Sequence, residues 1–416
     1  ESIPPPSVAV GIGEKSAQSG GGKPKGRKKK KKKKKKKDQQ GTKRKAGVEG
    51  SSQDGKSQVT KSAESQEKKP KLGISSRKPS DHTFKPLGAS SSNDDSINNK
   101  KRVVKGRPFT VSVAIPGSIV SNAQSPELRT YLVGQIARAI TIFEVDEVVI
   151  FSEDGSTKSL EGEFKGSTKR SDPNVFMARV LQYLETPQYL RKELFPMHPD
   201  LKFAGLLNPL DAPHHVRIDT VSKYREGVVA RRPTKPGAGA WVNVGLRQCA
   251  LVPHQIPART RVTVKLPEPG PGGKLPKTLR GTAVAPTKPR TEDGLYWGYT
   301  TRLAPGLAGV LQQCPYKGGY DLTIGTSERG IDAASKGFEM PRFKHLLLVF
   351  GGLGGLEDAI EGDERLRETD PNGVFSLYIN SCTNQGSRTI RTEEAVPITL
   401  SLLRPHILAN IRHFEK

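Results

Sequence analysis

The sequence predicts an α/β protein built on a parallel sheet, interrupted by a small antiparallel barrel and preceded by a basic tail. Three observations carry that expectation. Short apolar runs at 346–350 and 374–379 each end in a polar, glycine-bearing loop, at 351–355 and 380–389. Runs of that length suit strands buried on both faces, and loops of that kind suit a ligand crevice at the carboxyl edge of a parallel sheet. Residues 109–151 read strand, helix, strand, which is a βαβ unit. Residues 226–302 are rich in β-formers and broken by Pro/Gly turns such as 267–273, a texture unlike either flank.

Taken in order, the folded body begins near Arg107. Residues 109–116 form a strand that stops at Pro116-Gly117. Ser125-Pro126-Glu127 supplies an N-cap, a proline at the first helical position and an early acid. Leu128, Leu132, Ile136, Ile140 and Phe143 follow at helical spacing, and 145–151 is the next strand. Ser171-Asp172-Pro173 opens a second helix carrying Val175, Val180, Leu181 and Leu184, and 187–194 continues as a short third. Five β-rich stretches, 227–232, 241–252, 259–266, 280–286 and 295–302, predict a small closed barrel of OB type. Buried strands resume at 320–325. The last helix is expected to start near Arg388 or Thr389, with Pro397 bending or delaying it. The boundaries are then 1–106 for the tail, 107–205 with 305–416 for the α/β domain, and 206–304 for the insertion.

Charge separates tail from body. Of a net +26, residues 1–105 hold +19, from 29 Lys+Arg against 10 Asp+Glu. The tail has little apolar area to offset its chain entropy and is expected to be disordered. Its lysine run at 28–37 and the clusters 43–45 and 68–71 read as nuclear import signals and a phosphate-binding arm, or as a solvated solubility tail. Cys249, Cys314 and Cys382 are too far apart to support a disulfide framework or a CxxC metal site. No apolar run reaches the length of a membrane span and no signal peptide is visible, which makes a reducing intracellular compartment the default. The absence of an initiator Met fits a fragment or a processed chain.

Three strand-end loops, 325–330, 350–355 and 380–389, are expected to converge. Their Gly, Ser, Thr, Asn and Gln suit a neutral or mixed-charge ligand held by backbone and amide groups. The glycine loop lacks the lysine of a phosphate-binding loop and the spacing of GxGxxG, so a structural turn competes with a ligand loop. No Ser-His-Asp or Cys-His arrangement is apparent and no metal-ligand set is present. Cys382 reads as a packing residue, and His345 as the edge of the core. Arg129 and Arg138 lie off the helical stripe, as solvated charges or as ligand contacts. Arg231, Arg232, Lys235, Arg247, Arg259, Arg261 and Lys265, with Trp241, Tyr296 and Trp297, could form a stacking and phosphate surface for RNA. The competing expectation puts at least one of the two tryptophans in the core.

The stretches 320–330, 349–357 and 380–395 together resemble the SPOUT RNA methyltransferases, in particular their eukaryotic and archaeal branch, and the resemblance covers 107–416. It implies a SPOUT-type sheet with a C-terminal trefoil knot, an OB-like insertion, S-adenosylmethionine as cofactor and a homodimer. By position it implies that Thr326, Phe350, Gly351, Gly352, Asn380, Gln385, Gly386, Ser387 and Thr389 line the cofactor. Methyl transfer from a sulfonium rests on in-line positioning. Arg329, Arg388 and Arg391 are candidates for stabilising a developing anion. Glu328, Glu393 or Glu394 could accept a proton, with Glu394 equally readable as an i,i+3 ion-pair partner of Arg391. The implied activity is RNA base methylation, best matched by uridine N3 of large-subunit ribosomal RNA, in the nucleus and its nucleolus, with pre-ribosome or spindle/kinetochore association. A non-catalytic RNA-binding or spindle/kinetochore scaffold with a vestigial fold is the alternative from a different class.

Overall fold

The computed structural model describes residues 106–155, 171–232, 239–268 and 278–414, and residues 237, 270 and 276 singly. The tail read as disordered lies outside them. Strand β1 (Thr110–Pro116) is buried at every position. Pro116 and Gly117 stop it, and a 3-10 turn over Gly117–Asn122 leads to helix α1 (Pro126–Ile142). Ser125 caps that helix, its Oγ accepting the Leu128 N–H at 3.2 Å, which satisfies a donor the helix cannot. The buried face follows Leu132, Val133, Ile136, Ala137 and Ile140. Leu128, expected on that stripe, is 53% exposed, because the first turn runs past the packed layer.

Strand β2 (Glu147–Phe151) pairs parallel with β1, Ser112 opposite Glu147. Helices α2 (Pro173–Glu185) and α3 (Gln188–Leu194) follow where Asp172-Pro173 and Pro187 predict them. Five short strands then form a separate antiparallel sheet: β3 (Tyr224–Val229), β4 (Ala240–Asn243), β5 (Ala250–Val252), β6 (Arg261–Lys265) and β7 (Thr282–Val284). Their order is β5-β4-β3-β6-β7. The sheet curls until Leu251 of one edge bridges Arg280 beside the other.

The strand count of five was expected, but its membership differs. Residues 241–252 are two strands, split where Gly245 takes a left-handed φ of 72°. The stretch 295–302 is no barrel strand: it leads into β8 (Thr300–Ala304), which pairs parallel with β2. Helix α4 (Lys288–Asp293) precedes β8, and α5 (Leu307–Gln312) follows it.

Strands β9 (Leu322–Asp332), β10 (His345–Val349) and β11 (Leu377–Asn380) complete a six-stranded sheet ordered β11-β9-β10-β1-β2-β8. Every neighbouring pair is parallel. Between β10 and β11 lie α6 (Gly355–Gly362) and α7 (Pro371–Val374), and α8 (Thr392–Ala409) ends the domain. Helix α8 starts later than expected, because the backbone of 388–391 stays outside the helix and Arg391 is its N-cap; Pro397 and Pro405 lie inside it.

Alternation along each strand divides the core. Leu346 and Leu348 of β10 join Val113, Ile115, Ile136, Ile140, Val396, Leu400 and Leu403 on the face covered by α1, α2 and α8. Leu347 and Val349 join Val149, Phe151, Leu307, Leu356 and Ile360 on the face covered by α5 and α6. Each such side chain taken fully from water contributes about 1.5–3 kcal/mol. All six strands therefore hold their carboxyl ends at one edge, where the polar loops emerge.

Candidate functional site

Three hydrogen bonds tie the three loops, the end of β10 and the start of α8 together. Thr326 Oγ1 donates to the Val349 carbonyl at 3.0 Å, joining the first to the second. Asn380 Nδ2 donates to the Glu328 carbonyl at 2.9 Å, joining the third to the first. Thr392 Oγ1 donates to the Gly351 carbonyl at 2.8 Å, joining the start of α8 to the glycine loop. The expected convergence of 325–330, 350–355 and 380–389 is what the structure has.

The first loop differs in detail. Residues 326–330 lie within the span of β9 but leave its ladder: β11 pairs Tyr378 with Gly325, and the next residue, Ile379, with Ile331. The excursion carries Ser327, Glu328 and Arg329 outward. Ser327 Oγ reaches Glu357 Oε1 at 3.1 Å, and Arg329 Nη1 lies 3.8 Å from the same oxygen. Tyr378 is 7% exposed, stacks on Phe375 and has a hydroxyl with no hydrogen-bond partner among the described residues. Burial pushes that phenol up to about 12.

The glycine loop is shaped by close backbone approach. A side chain at Gly351 would overlap the Gly355 backbone, and one at Gly352 would overlap the Glu153 carboxylate. Gly386, on the third loop, has nothing within 4 Å of where a side chain would begin. Phe350 is buried in the core, so it can offer a ligand its backbone alone. Asn380 Oδ1 accepts the Cys382 N–H at 2.9 Å, and Ser387 Oγ donates to the Thr389 carbonyl at 2.8 Å, which folds the third loop on itself. Gln385 is half-buried; Gly386, Ser387 and Thr389 are exposed.

Among the residues considered for catalysis, Arg329, Arg388 and Arg391 are exposed at this edge. Glu394 is otherwise engaged: its carboxylate accepts the Arg391 backbone N–H at 3.0 Å. That contact is a capping interaction with the main chain in place of the side-chain ion pair that the i,i+3 spacing allowed.

The basic residues divide as well. Arg129 Nε donates to the Ala123 carbonyl at 3.3 Å, and Arg138 Nη1 to that of Leu210 at 2.5 Å, so both guanidinium groups clamp the chain. Arg231, Arg232 and Arg247 are exposed, and Arg232 lies 4.6 Å over the Trp241 ring. Lys235 lies outside the described residues. Arg261, grouped with the surface cations, instead joins a buried network between the small sheet and α2. It contacts Glu185 Oε2 at 2.5 Å and Glu226 Oε2 at 2.6 Å. Trp297 Nε1 donates to Glu226 Oε1 at 2.6 Å, so that tryptophan is interior, as expected of at least one. His214 and His215 donate through Nε2 to the Glu185 carbonyl at 2.8 and 2.7 Å. Burial would raise the Glu185 carboxyl, but Arg261 and His214 outweigh it and hold it well below the usual carboxylate range. Burial, with His214 alongside, pushes His215 down to about 4.

Sequence reasoning passed over Ser327, Tyr378, Thr392 and Glu153. Only Ser327, inside a polar stretch after a strand, carried a signal that could have marked it. Among the described residues no His/Cys/Asp/Glu group could hold a metal, and no helix is long and apolar enough to cross a membrane.

Comparison with known proteins adds a lineage to this geometry. A family model described as "Putative RNA methyltransferase" matches residues 110–403. The 28S rRNA (uridine-N(3))-methyltransferase of Mus musculus is 56% identical over 308 residues, covering 73% of this chain and 78% of that one. Its Homo sapiens counterpart is 54% identical over 313 residues, covering 74% and 82%. The Drosophila melanogaster protein of the same name is 46% identical over 320 residues, covering 75% and 65%.

Proposed function

This chain belongs to the RNA methyltransferase family matched over residues 110–403, and from that premise we propose that it methylates N3 of a uridine in large-subunit ribosomal RNA, using S-adenosylmethionine. The observation that carries the reading is the triple tie between the strand-end loops, in a chain 56% identical to a protein named for that reaction.

The residues fit the cofactor on two counts. The backbone of 351–352 packs too closely on Gly355 and the Glu153 carboxylate to admit a side chain, which leaves main-chain groups to meet a ligand there, and the buried Tyr378 hydroxyl has no hydrogen-bond partner among the described residues. Thr326, Gly351, Gly352, Asn380, Gln385, Gly386, Ser387 and Thr389 would hold it, with Phe350 contributing backbone. The sulfonium supplies an electrophilic methyl group. The chain's part is to align it with the base and exclude water. Arg329, Arg388 and Arg391 would stabilise charge developing on the uracil oxygens.

The reading extends to the architecture. A C-terminal knot is supported by β11 lying at the sheet edge beside β9 while α8 returns to pack on α1. An OB-like insertion is supported by the curl of the five-stranded sheet, and Arg231, Arg232 and Arg247 give that sheet an RNA-facing surface. The reading keeps domain limits of 107–205 with 305–416, and of 206–304, with β8 assigned to the parallel sheet. A homodimer suits the apolar groove of about 580 Å³ lined by Phe143, Pro397, Ile398 and Leu402. Action on ribosomal RNA supports a nuclear location, and the reading takes the nucleolus and its pre-ribosomes as the site of work.

The test is to incubate the chain with large-subunit ribosomal RNA and S-adenosylmethionine and digest the RNA to nucleosides for mass spectrometry. The expected product is 3-methyluridine at one position, absent with Gly352→Trp. RNA binding without any methylated nucleoside would leave a scaffold as the better account.

A further inference from the structure

The cofactor loops occupy one half of the sheet edge, the ends of β9, β10 and β11. The other half is built by the ends of β10, β1 and β2, which are also neighbours in the sheet. The two halves share the glycine loop. Between the ends of β10, β1 and β2 lies a cavity of about 330 Å³ lined by Ser118, Ser121, Asn122, Glu153, Leu353, Gly354 and Asp358. Its size is at the low end of ligand sites, roughly 300–1,000 Å³, and suits one flat heterocycle.

We propose that this cavity receives the target uracil and that Glu153 is the general base that takes its N3 proton, a role resting on the methyltransferase reading above. N3 lies on the pairing edge of uracil, so the base must be extruded from any helix before it can react. N3 also carries a hydrogen, and its lone pair becomes a strong nucleophile only once that proton has a place to go. The step balances: the N3–H proton passes to the Glu153 carboxylate, the nitrogen pair forms the new N–C bond, and the carbon–sulfur pair leaves with sulfur. The products are 3-methyluridine and S-adenosylhomocysteine.

Glu153 is set up for this by its two contacts. The Ser118 hydroxyl donates to Oε2. The other oxygen, Oε1, faces Gly352, so closely that a side chain there would overlap it. One oxygen is held from the β1 side while the other is presented to the loop that would carry the methyl donor. Among the described carboxylates nearby, Glu394, Glu357 and Asp358 do not combine these features. Glu394 caps α8, Glu357 faces Ser327 and Arg329, and Asp358 folds back over Gly354 on the first turn of α6. Asn122 and the Ser121 hydroxyl offer donors for the uracil oxygens.

The test uses the full chain and the near-isosteric Glu153→Gln, with two readouts. The first is calorimetric binding of S-adenosylhomocysteine; the second is 3-methyluridine formation in large-subunit ribosomal RNA across pH 6 to 9. The expected result is unchanged cofactor affinity and a loss of transfer of roughly 100-fold at neutral pH. That deficit should narrow as pH rises and the imide loses its proton to solvent unaided. Transfer within threefold of the parent at neutral pH, with cofactor affinity retained, would overturn the role of Glu153 while leaving the methyltransferase intact. A parent chain that binds no cofactor and forms no product would overturn the methyltransferase reading, and the Glu153 role with it.

Discussion

The two sheets solve opposite problems with opposite materials. At the edge of the parallel sheet, the candidate site is drawn mostly in main chain: glycines that admit close approach, carbonyls tied by Thr326, Asn380 and Thr392, and few buried charges. At the root of the antiparallel sheet, the junction is drawn in side chains. Arg261 bridges Glu185 and Glu226, with His214, His215 and Trp297 packed around them. A ligand must enter and leave the first region, so its polar groups face outward. Nothing needs to enter the second, and buried charges that satisfy one another hold it in one arrangement. That contrast implies that the small sheet presents Arg231, Arg232 and Arg247 from a fixed position.

The largest effect should come from breaking the junction. Arg261→Ala leaves Glu185 and Glu226 buried without their cation, and should cost about 3–5 kcal/mol in denaturant unfolding. A loss under 1 kcal/mol would mean that the two carboxylates find water or other partners, and that the sheet is not locked.

A smaller, pH-dependent loss sharpens the same point. His215 binds its proton more weakly folded than unfolded, its folded value of about 4 lying below the ordinary 6.5. Its contribution is therefore complete above 6.5, and stability should fall by about 1–3 kcal/mol as pH drops from there to 4. Glu185 is shifted in the same direction but acts in a lower window. Its folded value lies far below that of the unfolded chain, so its contribution is present above the ordinary carboxylate range and is lost only in stronger acid. Unfolding curves of the parent and His215→Gln should separate the two, the variant losing the upper window and keeping the lower. Identical profiles would remove His215 from the junction's energetics.

The smallest effect tests the sheet's outer face. Arg232→Ala removes one exposed cation and its stack on Trp241. The slope of log affinity for RNA against log salt should become shallower by roughly 0.7–0.9. An unchanged slope would move the RNA-facing surface elsewhere.

The same contrast decides what the sequence could disclose. Local rules reach local features: the cap at Ser125, the stop at Pro116-Gly117, and the burial of β10 on both faces were all readable. The gathering of the three loops was readable too, because parallel strands place their carboxyl ends together and polar loops mark those ends. The junction was not, since Arg261 meets Glu185 across 76 positions and a lone arginine in a β-rich stretch looks like a surface cation. Nor was β8: its residues are as β-prone as those of the small sheet, and composition does not name a strand's partner. Glu153 follows a strand with no pattern around it, and only the spatial adjacency of β10, β1 and β2 gives it a neighbour to act on. Arg138 is a second case like Arg261, an off-stripe arginine whose guanidinium is held by carbonyls 71 and 72 positions away.

The central claim is that the site's backbone, rather than its composition, holds the methyl donor, and one set of titrations tests it. S-adenosylhomocysteine would be titrated calorimetrically into the full chain, Gly351→Val and Gly337→Ala. The account predicts binding by the parent, a loss of roughly 100-fold or more in Gly351→Val, where a side chain would overlap the Gly355 backbone, and a change under threefold in Gly337→Ala, which lies outside the assigned lining and where space is open. Equal affinities in all three, or no binding by a folded parent, would contradict it.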